Sequence, residues 1–201
     1  MKIKVAILLI LCLIVKPAFS QEKAETLRYE IVVLGLKIGE LVAEKSPEVN
    51  NFQTFKVESF VKFWFFGNVD LRFSTISQFQ NEQIVKTKSE SKTNRGDYLS
   101  TVQWNGNHYE VDANTYKYEN QNPVKGPLTW CSTKLFFQEP RHGDLFLSEV
   151  YGVSQKITQL DPGVYEIKID GNTNRYYYKS GILEKIVIEN PIKNYQVRRL
   201  R

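Results

Sequence analysis

The sequence is poor in the residues from which most catalytic and metal sites are built. It has two cysteines and two histidines in 201 residues. Cys12 lies inside an N-terminal apolar run, which leaves Cys131 alone in the rest of the chain and excludes an intramolecular disulfide there. His108 and His142 belong to no H-x-H or H-E-x-x-H spacing, so no metal site is spelled locally. There is no G-x-S-x-G elbow and no glycine-rich phosphate loop. Beyond Gln21 no apolar run approaches the roughly 20 residues of a membrane-spanning helix. Charge of one sign is also lacking. With Lys2, Lys4 and Lys16 of the leader set aside, 27 − 3 = 24 basic residues face 22 acidic ones, a balance of +2. That balance gives no basis for binding nucleic acid.

The first 20 residues read as a secretory signal peptide. Lys2 and Lys4 precede the apolar stretch Val5–Val15, Lys16-Pro17 ends it, and Ala18 and Ser20 place small residues before a cleavage point at Gln21. Leu11 is too large to precede a lipidated Cys12, so a lipoprotein signal is rejected. The expectation is an exported protein, periplasmic with secretion as the alternative, whose residues 21–201 form a single β-rich domain without a transmembrane segment.

What is present is period-two alternation, the pattern of a strand with one wet face. Leu27, Tyr29, Ile31 and Val33 share a face opposite Arg28 and Glu30. Phe55, Val57, Val61, Phe63 and Phe65 alternate with Lys56, Glu58 and Lys62; Leu71 and Phe73 with Asp70 and Arg72; Tyr165, Ile167 and Ile169 with Glu166 and Lys168. Turn signals punctuate these runs: Gly67-Asn68, Arg95-Gly96, Asn105-Gly106, Asp161-Pro162-Gly163, Asp170-Gly171 and Ser180-Gly181. The Arg95-Gly96-Asp97 tripeptide is read as one of these hairpin turns. Residues 84–93 alternate Lys and Glu with Ser and Thr, and are expected to form an exposed or edge strand. Pro127 to Phe137, bounded by Pro140, is expected to form a short helix with Leu128, Cys131 and Leu135 on one face.

The anomaly is aromatic. Phe60, Trp64 and Phe66 fall on the face of their strand that alternation leaves wet, while Phe63 and Phe65 fill the other; Tyr176-Tyr177-Tyr178 repeats the pattern. Each aromatic side chain presents on the order of 150–250 Å² for burial, so such a segment needs a cover. Either the 127–137 segment supplies it, or an apolar cavity does. On the second reading Phe60, Trp64, Phe66, Trp130 and Phe137 are the candidate ligand-binding residues.

Lys134–Pro140 (KLFFQEP), Leu145–Glu149 (LFLSE), Gly171–Tyr178 (GNTNRYYY) and the early Tyr29, Gly35 and Gly39 occur in an order that resembles an uncharacterised family of exported, β-rich envelope proteins of Bacteroidota. Phe136, Phe137, Glu139, Pro140, Ser148, Glu149, Tyr176 and Tyr178 match its pattern. The resemblance implies a domain of unknown function, distantly similar to half-barrel carriers of lipoproteins and lipids, and brings no catalytic residue with it. A structural role accounts for all the matching positions.

The expected fold is mainly β: a curved antiparallel sheet of about ten or more strands, forming an open or closed barrel, with one short helix. No cofactor and no metal are expected. The expected function is a non-enzymatic envelope binding module for an apolar small molecule or lipid. The alternative is a structural component that docks another envelope protein.

Overall fold

The computed structural model describes residues 23–63, 69–94, 96–116, 118–189 and 194–201. The first 22 residues, on which the leader was read, Trp64, Phe65, Phe66, Gly67, Asn68 and Arg95 lie outside the described residues.

The strands are β1 Glu25–Val33, β2 Leu36–Lys45, β3 Phe52–Phe63, β4 Val69–Gln80, β5 Gln83–Thr93, β6 Gly96–Trp104, β7 His108–Thr115, β8 Tyr118–Asn120, β9 Val124–Lys125 and β10 Trp130–Cys131. The helix α1, Ser132–Leu135, follows. Then come β11 Leu145–Ser148, β12 Val153–Lys156, β13 Thr158–Asp161, β14 Val164–Ile169, β15 Asn172–Lys179, β16 Ile182–Glu189 and β17 Tyr195–Arg199.

Fourteen strands form one antiparallel sheet in the order β13-β14-β15-β16-β17-β1-β2-β3-β4-β5-β6-β7-β8, with β9 also paired to β7. Short turns dictate this meander, since a two-residue loop can only return the chain antiparallel to itself. At Asn105-Gly106 the Asn105 side-chain oxygen accepts from the N–H groups of Asn107 and His108, both at 3.0 Å, while Gly106 takes a φ of 101°. The first and last strands meet inside the sheet, with Tyr29 opposite Arg199. The sheet is not closed: β13 and β8 are its free edges. A smaller sheet, β10-β11-β12, lies in the opening, with β12 against β14 on one side and β9 on the other.

The alternation read from the sequence fixes the inner face. Tyr29, Ile31, Phe55, Val57, Tyr165, Ile167 and Ile169 are buried, in two clusters. One cluster joins β1–β3 and the C-terminal strands to Leu135, Phe136 and Phe146; the other joins β3–β7 to Leu128, Cys131 and Leu147. The segment 124–157, which carries the small sheet, thus supplies apolar cover to both halves of the large one.

Two expectations are corrected. Residues 84–93 are not an edge strand; β5 lies between β4 and β6. A bulge passes Val85 over between the pairs Gln78–Lys86 and Phe79–Ile84, so Ile84, Thr87 and Ser89 all come to the buried side. The helix is shorter than 127–137. Leu128 donates its N–H to the Tyr109 hydroxyl and its carbonyl accepts from Ile84 N–H, both at 3.0 Å. Trp130-Cys131 then pairs in parallel with Phe146-Leu147. These bonds hold 127–131 extended and leave only one turn of helix at Ser132–Leu135.

Candidate functional site

Segment 130–152 is held on the inner face by buried polar groups, and the principal one is Glu149. Its carboxylate is 1% exposed. Oε1 accepts from the Ser77 hydroxyl and from Thr133 N–H, both at 3.2 Å; Oε2 accepts from Ser132 N–H at 3.0 Å and from the Ser132 hydroxyl at 2.7 Å. Four donors match the lone-pair capacity of an ionised carboxylate. No cation pairs with Glu149 among the described residues. The charge is therefore held by hydrogen bonds alone, which tie β4 to the first turn of α1.

Neighbouring contacts extend this attachment. The Ser100 hydroxyl donates to the Val150 carbonyl at 2.8 Å, and the Asn120 amide donates to the carbonyls of Tyr151 and Gly152 at 3.1 and 3.0 Å. On the opposite wing the Tyr178 hydroxyl donates to the Leu135 carbonyl at 2.6 Å, and the Tyr165 hydroxyl to Glu139 Oε1 at 2.9 Å. Glu139, Ser148, Glu149 and Tyr178 thus have anchoring or cavity-facing places here.

Under this segment lies a cavity of about 550 Å³. The inner faces of β1 to β4 and β14 to β17 form its walls, through side chains such as Val57, Val61, Ile186 and Val197. Phe136 and Phe146 reach in from the covering segment. Val33, Ile38, Ile169 and Asn172 also line it, and they flank the β1–β2 and β14–β15 hairpin turns. The polar part of the lining is Ser59, Thr75, Ser132, Ser148, Glu149, Tyr151 and neighbouring Asn and Tyr side chains of β15 and β17. Burial raises the Tyr176 and Tyr195 hydroxyls above the ordinary phenol range, so both stay protonated at any physiological pH.

The sequence-derived candidates are placed differently. Phe60 is 42% exposed and points to the outer face of β3, opposite the cavity. There the Arg72 guanidinium lies 5.6 Å from its ring centroid, within an outer groove that Glu40, Glu58, Glu90 and Lys92 also line. Trp130 is half-buried and has the Lys134 ammonium 5.1 Å from its ring. Phe137 packs against both core clusters, 5.6 Å from the Phe55 ring. Neither lines the cavity. Trp64 and Phe66 lie outside the described residues. The wall residues from β3 are instead Val57, Ser59 and Val61, one position out of phase with Phe60. The legible signal for them was the small hydroxyls Ser59 and Thr75 on an otherwise apolar face, which leave space that larger side chains would fill.

Among the described residues the cysteine and the two histidines are not gathered. Burial, then the nearby Glu149 charge, push the Cys131 thiol up, and its sulfur sits 3.2 Å from the Thr133 hydroxyl. His108 contacts Asn105 in its hairpin, and His142 Nδ1 accepts from Gln159 N–H at 3.2 Å in another loop. No cluster of three or more His, Cys, Asp or Glu side chains that could hold a metal occurs among the described residues. Nor does any described helix have the length and apolarity to cross a membrane.

A family model described as "Domain of unknown function (DUF6134)" matches residues 29–200. Among solved structures, the chain is similar to a "Beta-barrel-like Protein of Domain of Unknown Function DUF1849 from Brucella abortus". The match has a TM-score of 0.50 and 12% identity over 88% of this chain and 95% of that one. At that identity the likeness is one of fold. No curated protein matches the chain.

Proposed function

The chain belongs to the family described as a domain of unknown function (DUF6134), and from that premise we propose that it is a non-enzymatic binding module for an apolar ligand, a lipid or acyl chain, exported to the periplasmic side of the cell envelope. The observation that carries the reading is the cavity of about 550 Å³ beneath the covering segment. Protein interiors are close-packed, and voids much larger than a water molecule are few. A space of this size falls within the roughly 300–1,000 Å³ of small-molecule sites. Its walls are aliphatic and aromatic, so an apolar occupant gains free energy on leaving water at about 25 cal/mol per Å². The assignment to the envelope rests on the leader-like first 20 residues.

Native mass spectrometry tests this reading on the full chain, expressed with its own leader and isolated without detergent. The expected spectrum contains an adduct of a few hundred daltons that is lost on mild activation. In Ser59→Trp, which fills the cavity from the β3 wall, the adduct is absent. A spectrum of bare chain alone contradicts the reading.

A second reading, docking of another envelope protein, is favoured by the exposed Phe60 ring in its charged outer groove. On that reading a protein co-purifies in place of the small adduct, and Phe60→Ser releases it.

A further inference from the structure

The β1–β2 hairpin turns at Leu34-Gly35, and its tip is apolar. Leu34 is 82% exposed and Leu36 is 53% exposed. An exposed leucine is ordinary in itself. The backbone beneath this one is not. Val33 pairs with Leu36 across a two-residue loop, and both loop residues take positive φ, 49° at Leu34 and 82° at Gly35. Such a loop favours Asn or Asp before Gly. At positive φ the Cβ crowds the following carbonyl, a strain that a short polar side chain offsets by local hydrogen bonding.

The rest of the molecule keeps to that rule. The other described non-glycine residues at positive φ are Asn50, Asn51, Asn81, Glu82, Asp170 and Ser180, all polar. Asp170-Gly171 and Ser180-Gly181 turn their hairpins with φ values close to those of Leu34-Gly35. Leucine at this one position costs backbone free energy and also leaves an apolar side chain in water. A contact outside the chain would offset both.

The tip stands where the cavity reaches the end of the sheet. Val33 and Ile38, on either side of the tip, line the cavity, as do Ile169 and Asn172 beside the Asp170-Gly171 turn and Tyr195 at the start of β17. Antiparallel pairing brings these strand ends to the same side of the sheet. An apolar track thus runs from Leu34 and Leu36 outside to Val33 and Ile38 inside. Lys37, next to Leu36, has its ammonium 2.5 Å from Glu40 Oε1, so the pair adds no net charge to the tip.

Two leucines on a loop fall far short of the roughly 800 Å² that each partner buries in a stable protein interface. Membrane association instead scales with whatever apolar area enters the lipid, so a small tip suffices for reversible contact. Resting on the reading above for its cargo, we propose that Leu34 and Leu36 dip into a lipid surface and set this end of the cavity against it. An apolar ligand then passes between membrane and cavity without crossing water.

Flotation with vesicles of phosphatidylethanolamine and phosphatidylglycerol tests this on the full chain, isolated without detergent. Binding by the unaltered protein is expected to persist in high salt, since the contact is apolar and salt screens only charge. Leu34→Asn suits the positive φ, so its melting temperature is expected to hold or rise. Its vesicle affinity is expected to fall at least about tenfold, as one leucine no longer leaves water. Adding Leu36→Ser lowers it further. Ile182→Ser, at an exposed residue beside the hairpin turn at the opposite end of the sheet, is expected to change nothing. Absent vesicle binding, binding that salt abolishes, or binding that Leu34→Asn leaves unchanged overturns the proposal. A dimer that Leu34→Asn splits also overturns it, and assigns the tip to a second copy of the chain. Uptake of the uncharged fluorescent probe phenylnaphthylamine, measured without vesicles, keeps the two readings apart. Uptake without vesicle binding leaves the cavity reading intact while docking falls. Vesicle binding without uptake removes the cavity reading while docking stands.

Discussion

Replacing Glu149 by alanine is expected to lower the free energy of unfolding by about 3–5 kcal/mol, because hydrogen bonds to a charged group are each worth about 1.5–3 kcal/mol and their loss here is coupled. Chemical denaturation followed by tryptophan fluorescence measures it. The substitution removes the shared acceptor of Ser77, Ser132 and Thr133. Two of the orphaned donors are backbone N–H groups at the start of α1, which have no carbonyl within the helix to turn to. Water can re-enter only by loosening the covering segment from β4. Glu149→Gln keeps one carbonyl oxygen but faces an amide N–H₂ toward donors. It is expected to lose less than Glu149→Ala, and an unchanged stability in the alanine variant would show that the carboxylate holds nothing in place.

Gly152→Ala is the second large effect, with an expected loss of about 2–4 kcal/mol from backbone strain and overpacking together. Gly152 takes a φ of 60°, a region that costs other residues free energy. An added Cβ would also overlap Val111 Cγ1 on β7, closer than packed atoms allow. The turn cannot move away freely. Its N–H donates to the Ser148 carbonyl at 2.8 Å, and its carbonyl accepts from Asn120. A double-mutant cycle separates the causes: Val111→Ala in the Gly152→Ala background is expected to recover the steric part and leave the backbone part. Equal, additive losses in the two single variants would place the cost elsewhere.

Much of the sheet was legible because alternation is local. Tyr29, Ile31, Val57, Ile167 and Ile169 announce their buried face within a few residues, and the glycine turns set the meander. The face of β5 was not legible. Its phase depends on a bulge that exists only in the pairing with β4, and no residue of β5 alone signals it. The helix was overextended for a similar reason: the bonds that keep Leu128 extended come from Tyr109 and Ile84, 19 or more residues away.

The residues that pointed to a cavity are not the ones that line it. Phe60 faces outward, under Arg72, and Trp64 and Phe66 lie outside the described residues. The space itself is an absence, produced where Ser59 and Thr75 meet a covering segment that stops short. It depends on contacts such as Ser77 to Glu149, 72 residues apart.

A titration of phenylnaphthylamine into the unaltered protein, Ser59→Trp and Phe60→Ser tests the central claim most directly. One probe per chain is expected to bind the unaltered protein and Phe60→Ser with the same affinity, and Ser59→Trp to lose binding while keeping its melting temperature. Binding that survives Ser59→Trp and vanishes in Phe60→Ser would move the site to the outside of the sheet and contradict the account.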